Sequence, residues 1–238
     1  MQKIKIKKGH DINISGLASR EFTTAPNPKF VSISPQDFNY VKPKMIVREN
    51  DKVSMGDALF FDKNNPDVKW PAIASGVISK IVYGERRAVQ EIIIEVDSEI
   101  EENTSSVGNL GSSPKAVIKE FLTEKNMWPF ITQRPFNKVV NPQDEPKCII
   151  VSLADSSPLA NDLSFSLNNK KDDIVSALSV LKKLTDGHLY VAVRGNNFSY
   201  LSDYDFINLL QIEGPHPSGN VGVILNRVNP INQNEVVW

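Results

Sequence analysis

Three polar stretches hold the residue types that could do chemistry. The first is Glu213-Gly214-Pro215-His216-Pro217-Ser218-Gly219-Asn220-Val221-Gly222. Two prolines fix the backbone on either side of His216, while Gly219 and Gly222 let main chain approach something closely. An imidazole held there can donate a hydrogen bond or a proton to an oxygen near neutral pH. If a helix starts near Ser218, its free N–H groups form a site for an anion or a carbonyl oxygen. A stiff turn between domains, needing no ligand, accounts for the same residues, and the sequence leaves both open. The second stretch, Ala154 to Asp162, is a loop of dense polarity that offers Asp155 and Ser157. The third is Arg194 to Asn197. No residue is assigned a catalytic or metal-binding role.

Other reactive residue types have plainer readings. His10 has no second histidine or cysteine close by and reads as a solvated turn residue. Cys148, the one cysteine, lies in the apolar run Cys148-Ile149-Ile150-Val151 and reads as a buried strand thiol. One cysteine builds no intrachain disulfide, zinc thiolate site or iron–sulfur cluster, and fits a reducing, intracellular compartment. Arg86 and Arg87 could meet a phosphate or an acidic neighbouring protein, although hairpin solvation explains them as well.

These loops need elements to position them. Cys148 to Leu153 is a continuous apolar strand of the kind buried on both faces. Asp172 to Leu184 places Ile174, Leu178, Leu181 and Leu184 on one helical stripe, with Gly187 beyond its end. His188 to Val193 is a second apolar strand, and Asp203 to Gln211 reads as a second helix capped by Ser202. Strand, helix, strand, helix predicts an open parallel sheet covered by helices. Ligands of such sheets sit beyond the carboxyl ends of the strands, which puts Asp155–Asp162 and Arg194–Asn197 on the functional edge. Val223 to Val228 is a helix or a strand, and Asn232 to Trp238 a strand just beginning.

The first hundred residues follow a different period. Lys3 to Lys7 and Ile12 to Ile14 read as strands, Phe30 to Ile33 as another, and Pro35 to Tyr40 as a turn or short helix. From Met45 to Ile81, short alternating apolar pairs are broken by turn residues at Glu49–Asp51, Ser54–Asp57 and Ala74–Gly76, the pattern of a small antiparallel sandwich. Glu91 to Val96 closes it. Four acids (Asp97, Glu99, Glu101, Glu102) and small polar residues then mark a linker. Ser113-Pro114 starts a helix carrying Val117, Ile118, Phe121 and Leu122. The predicted organisation is a β-rich module over 1–100, holding the sandwich at about 30–96, a linker over 101–113 and an α/β domain over 114–238.

With 238 residues, 40% hydrophobic and 23% charged, the chain has ample core. A net charge of −1 offers no field for nucleic acid or an anionic membrane. No run of eighteen apolar residues exists to span a bilayer, and Met1 to Lys8 lacks the apolar centre of a signal peptide.

The Met45–Ile81 pattern resembles the barrel-sandwich hybrid of biotinyl- and lipoyl-type domains. In a carrier of that type a hairpin-tip lysine holds the prosthetic group, and Lys63 is the candidate. Only six residues separate Gly56 from Lys63, a shorter arm than such carriers have, so the sandwich reads as scaffold.

Lys7 to Gly16 (K-K-G-x-D-I-x-I-x-G), V-R-E-N-D-K-V-x-x-G-D-A-L-F, P-A-x-A-S-G-V-I, Phe136 to Pro142, A-D-S-S-P-L-A-N-D and G-P-H-P-S-G-N-V-G occur in an order that resembles the NqrA family of Na⁺-translocating NADH:quinone reductases. The resemblance implies the N-terminal part of a peripheral subunit, on the cytoplasmic side of the membrane, in a six-subunit respiratory sodium pump. It implies membrane-spanning partner subunits, ubiquinone as a substrate of the complex, and further domains beyond Trp238. Its fold is similar to the RnfC protein of Rnf-type complexes and, more distantly, to the flavoprotein subunit of complex I, whose sheet is Rossmann-like. No G-x-G-x-x-G follows either sheet strand, so flavin or NADH binding is not carried over. His216, Gly219, Asp155 and Ser157 become the candidate quinone contacts on the quinone-reducing side. The alternatives are an assembly scaffold and, further off, a carrier with modified Lys63.

Overall fold

The structure, a computed structural model, describes residues 1–16, 18–97, 108 and 110–238. In chain order it runs β1 (Gln2–Lys5), β2 (Phe30–Ile33), β3 (Pro43–Met45), β4 (Lys52–Val53), β5 (Ala58–Asp62), β6 (Asn65–Pro71), β7 (Gly76–Tyr83) and β8 (Val89–Val96). Then come α1 (Lys115–Glu124), the hairpin β9 (Thr132–Gln133) and β10 (Lys138–Val139), and β11 (Cys148–Leu153). The chain continues through α2 (Leu163–Ser166), α3 (Lys171–Lys183), β12 (His188–Val193), β13 (Ile207–Glu213) and α4 (Val221–Val228).

One compact unit comprises Thr24–Asn109 and Ala116–Asp144. Its sandwich consists of antiparallel sheets ordered β2-β8-β7-β4 and β3-β5-β6, and the unit also holds the short antiparallel hairpin β9–β10. Along β8, Val89, Ile92 and Ile94 are buried and Gln90, Glu91 and Glu95 stay outside, as a half-covered strand requires. Trp70 stacks on Phe60 with ring centroids 4.9 Å apart, and Leu59, Ile78, Ile92 and Ile94 close the core around them. Each such side chain contributes roughly 1.5–3 kcal/mol of burial. The segment after the sandwich belongs to it: Asn126 Nδ2 donates to Gly56 O at 2.9 Å, and buried Trp128 donates its Nε1 proton to Val140 O at 3.0 Å.

The other unit, Met1–Thr23, Leu110–Lys115 and Glu145–Trp238, holds a four-stranded parallel sheet ordered β1-β13-β12-β11. Leu189, Val191, Ala192 and Val193 of β12 are all buried, with helix residues Leu178, Ile224 and Leu225 in the core as well. Continuous apolar strands are what two-sided burial demands. Val237 bridges Cys148 in parallel, so the 232–238 segment starts a strand beside β11.

By packing, the two compact units are each discontinuous along the chain. Because β1 pairs with β13, Met1–Thr23 joins the α/β unit, and the 116–144 segment joins the β unit. Residues 101–107 and 109 of the expected linker lie outside the described residues, and Leu110–Ser112 is a 3₁₀ turn. Asp203–Gln211 is not a helix: Ser199–Asp203 is 3₁₀ and Ile207–Glu213 is strand β13, flanked by β1 and β12. Ile12 and Ile14 are 62% and 50% exposed and pair with no described strand. No described helix is long and apolar enough to cross a membrane.

Candidate functional site

All four strands of the parallel sheet end on one edge, and the loops beyond it supply the residues picked from the sequence. After β11, Asp155 Oδ1 accepts the Ser157 N–H at 2.8 Å, a short polar side chain closing its own turn. Hydrogen bonds from the Ser157 N–H and hydroxyl are the main cause holding the Asp155 carboxyl below its ordinary range. After β13, the half-buried His216 stands next to a cis His216–Pro217 bond.

Ser156 joins the two loops. Its Oγ accepts the Gly219 N–H at 2.8 Å and lies 3.2 Å from His216 Nδ1. Where the Ser156 hydroxyl donates to Nδ1, the neutral imidazole carries its proton on Nε2. Among the described residues Nε2 has no hydrogen-bond partner. Ser152 Oγ donates to Gly219 O at 3.3 Å. A Cβ on Gly219 would stand 2.0 Å from Ala154 O, so only glycine permits this approach.

Two further strands brace the His216 loop. From the β1 side, His216 N donates to Asp11 Oδ1 at 2.9 Å and His10 N donates to His216 O at 2.8 Å. A Cβ on Gly9 would lie 2.2 Å from that same His216 oxygen. From the end of β12, Arg194 donates to Ser218 Oγ at 2.8 Å and Gly214 O at 3.1 Å, and the fully buried Ser218 hydroxyl donates to Gly214 O at 2.9 Å.

Of the two readings left open for this stretch, a cradle of free N–H groups at residues 218–220 does not form. Ser218 N donates to Pro215 O and Asn220 N to Pro217 O, both at 2.9 Å, while Gly219 N goes to Ser156. Helix α4 begins only at Val221. The stretch is thus a braced turn, and it lies inside the α/β unit. His216, Gly219, Asp155 and Ser157, chosen from sequence, lie on two loops that Ser156 ties together. Arg194 lies on the edge stretch that the sequence marked, whereas Ser156 and Asp11 were not singled out as parts of that arrangement. Ser156 sits unmarked between two chosen residues; Asp11 is 205 residues from its partner, and nothing local announces it.

The remaining candidates fall elsewhere. Buried Cys148 has its thiol pushed up by desolvation. Lys63 is at the β5–β6 tip and, with Arg86 and Arg87, lines one cleft of the β unit. Among the described residues no group of three or more His, Cys, Asp or Glu is arranged to hold a metal ion.

A β sandwich of two antiparallel sheets, and an α/β unit whose sheet edge is built from converging loops, define the class: a barrel-sandwich hybrid combined with a parallel α/β domain. Residues 4–97 match the family model of the NqrA N-terminal barrel-sandwich hybrid domain, and residues 113–238 that of the NqrA second alpha/beta domain. The chain belongs to the NqrA family. It is 33% identical over 237 residues to the NqrA subunit of the Na(+)-translocating NADH-quinone reductase of Yersinia pseudotuberculosis serotype O:1b, covering 99% of this chain and 53% of that protein. The corresponding subunit of Rhodopirellula baltica is 32% identical over 238 residues, with 98% and 52% covered. That of Hahella chejuensis is 34% identical, with 99% and 53% covered. The chain spans about half the length of these curated relatives.

Proposed function

We propose that this chain is the N-terminal half of the NqrA subunit of a Na⁺-translocating NADH:quinone reductase, and that it serves the quinone-reducing side of that pump. It assembles with the other subunits, membrane-spanning ones among them, on the cytoplasmic side, and leaves the sodium path to those partners. His216 offers its Nε2 proton to a quinone oxygen, while Asp155, Ser157 and Gly219 hold the loops that aim it. The observation that carries this reading is the Ser156 bridge, which joins Nδ1 to the neighbouring loop and leaves the other ring nitrogen uncommitted. An oriented N–H that strengthens its bond as charge develops on oxygen suits quinone reduction.

The test is steady-state NADH:quinone turnover by the assembled complex carrying His216→Ala. Loss of one such bond should raise the quinone KM or lower kcat by roughly tenfold. Unchanged kinetics in a fully assembled complex would sink the proposal. A second reading, an assembly scaffold, is favoured by the tight seating of Gly219 on Ala154 O, which leaves the loops packed against one another. It predicts normal turnover for His216→Ala and failed assembly when exposed residues of the sandwich are changed.

A further inference from the structure

The β unit has a cleft of about 550 Å³ whose charged lining is entirely cationic: Lys42, Lys63, Arg86 and Arg87. The chain as a whole carries a net charge of −1, so four cations around one opening reverse the local sign. Among the described residues none of the four has a carboxylate within ion-pair distance. The acids next to lining residues in the chain, Asp37, Asp62 and Glu85, are not in the lining themselves. Asp62 accepts the Lys42 and Asn64 N–H groups at 3.0 and 3.1 Å.

The backbone assembles this cluster. Lys63 N donates to Lys42 O at 2.9 Å, which fastens the hairpin tip to the strand before it. Arg86 and Arg87 adopt φ of +53° and +58°, two consecutive left-handed residues without a glycine. Tyr40, also in the lining, has φ of +66°. Arg86 and Arg87 are the two central residues of the β7–β8 hairpin turn, closed by Ala88 N–H donating to Glu85 O at 3.1 Å, and left-handed backbone at both positions matches the twist of the flanking strands. Like charges crowded at one opening repel until an anion joins them. Guanidinium forks match phosphate oxygens bidentately, with ammonium groups as flanking point charges.

We propose that this cleft binds a phosphate group, presented either by a free phosphorylated ligand or by a phospholipid headgroup. It is independent of the quinone reading, since it lies in the other unit. The experiment measures binding of the purified chain to inorganic pyrophosphate by calorimetry, and to vesicles of phosphatidylglycerol in phosphatidylcholine by co-sedimentation. The variant is Arg86→Asn with Arg87→Asn, because asparagine tolerates left-handed backbone. Its control is Lys171→Gln with Lys183→Gln, two lysines of the other unit carrying the same charge change. Wild type and control should bind at least one probe saturably, weakening as salt rises, and the arginine variant should bind it roughly tenfold more weakly. Pyrophosphate binding alone assigns a free ligand, vesicle binding alone assigns a headgroup, and binding of both supports the phosphate group they share. No saturable binding of either probe by wild type, or equal losses in variant and control, would overturn the proposal.

Discussion

The two units treat their polar residues in opposite ways. At the carboxyl edge of the parallel sheet nearly every polar group named above is spent inside the protein: Arg194 on Ser218 and Gly214, Asp11 on His216 N, Ser156 on Gly219 N. Among the described residues, His216 Nε2 has no hydrogen-bond partner there. In the β unit, four cations stand around a cleft with no carboxylate to answer them among the described residues. Dense polarity in sequence therefore marked an internally satisfied lattice, whereas a plain-looking Glu85-Arg86-Arg87 turn marks the open cleft. Buried polar groups demand partners and consume one another, and exposed cations carry no such obligation.

Substitutions can break this contrast. Gly219→Ala should be the most damaging, since its methyl would meet backbone, Ala154 O at 2.0 Å, which cannot move aside. A loss of about 3 kcal/mol is expected in urea denaturation. Gly222→Ala, with nothing within 4 Å and inside α4, should instead leave stability equal or raise it by up to about 1 kcal/mol. Equal effects at the two positions would refute the idea of a closed lattice.

Ser156→Ala removes the acceptor of Gly219 N–H and the partner of Nδ1 together. It should cost about 1–3 kcal/mol by the same assay. Asp155 should matter less and only above acid pH. Its folded pKa is depressed by the Ser157 hydrogen bonds, so its stabilisation is full above the unfolded value of about 3.9 and is lost as pH falls through the folded value. Stability curves of wild type and Asp155→Asn should converge below that window; curves that diverge on acidification would contradict the sign. The smallest change is expected for Arg86→Asn with Arg87→Asn, within about 0.5 kcal/mol of wild type because both side chains are exposed. A large loss there would make the turn structural and blur the contrast.

Much of the fold was legible because period and burial agree. Cys148–Leu153 and His188–Val193 read as apolar strands and are β11 and β12, and the stripe through Leu178 and Leu184 is α3 and its cap. Asp203–Gln211 was misread because Ile207, Leu209, Leu210 and Ile212 are buried with the strand inside the sheet, where alternation disappears and short apolar runs look helical. The polar loops were visible, yet their pairing through Ser156 and Asp11 depends on parallel register between distant strands, which no local spacing encodes. Arg86 and Arg87 were legible as a possible phosphate contact, but Lys42 and Lys63 join them in one cleft only after the sandwich closes.

One uncommitted imidazole nitrogen, on an otherwise closed edge, is the group proposed to serve the quinone. Quinone dependence of turnover in the assembled complex with His216→Ala, beside wild type, tests that role most directly. A roughly tenfold loss in kcat/KM for quinone is expected with assembly intact; wild-type kcat/KM in that variant would contradict it.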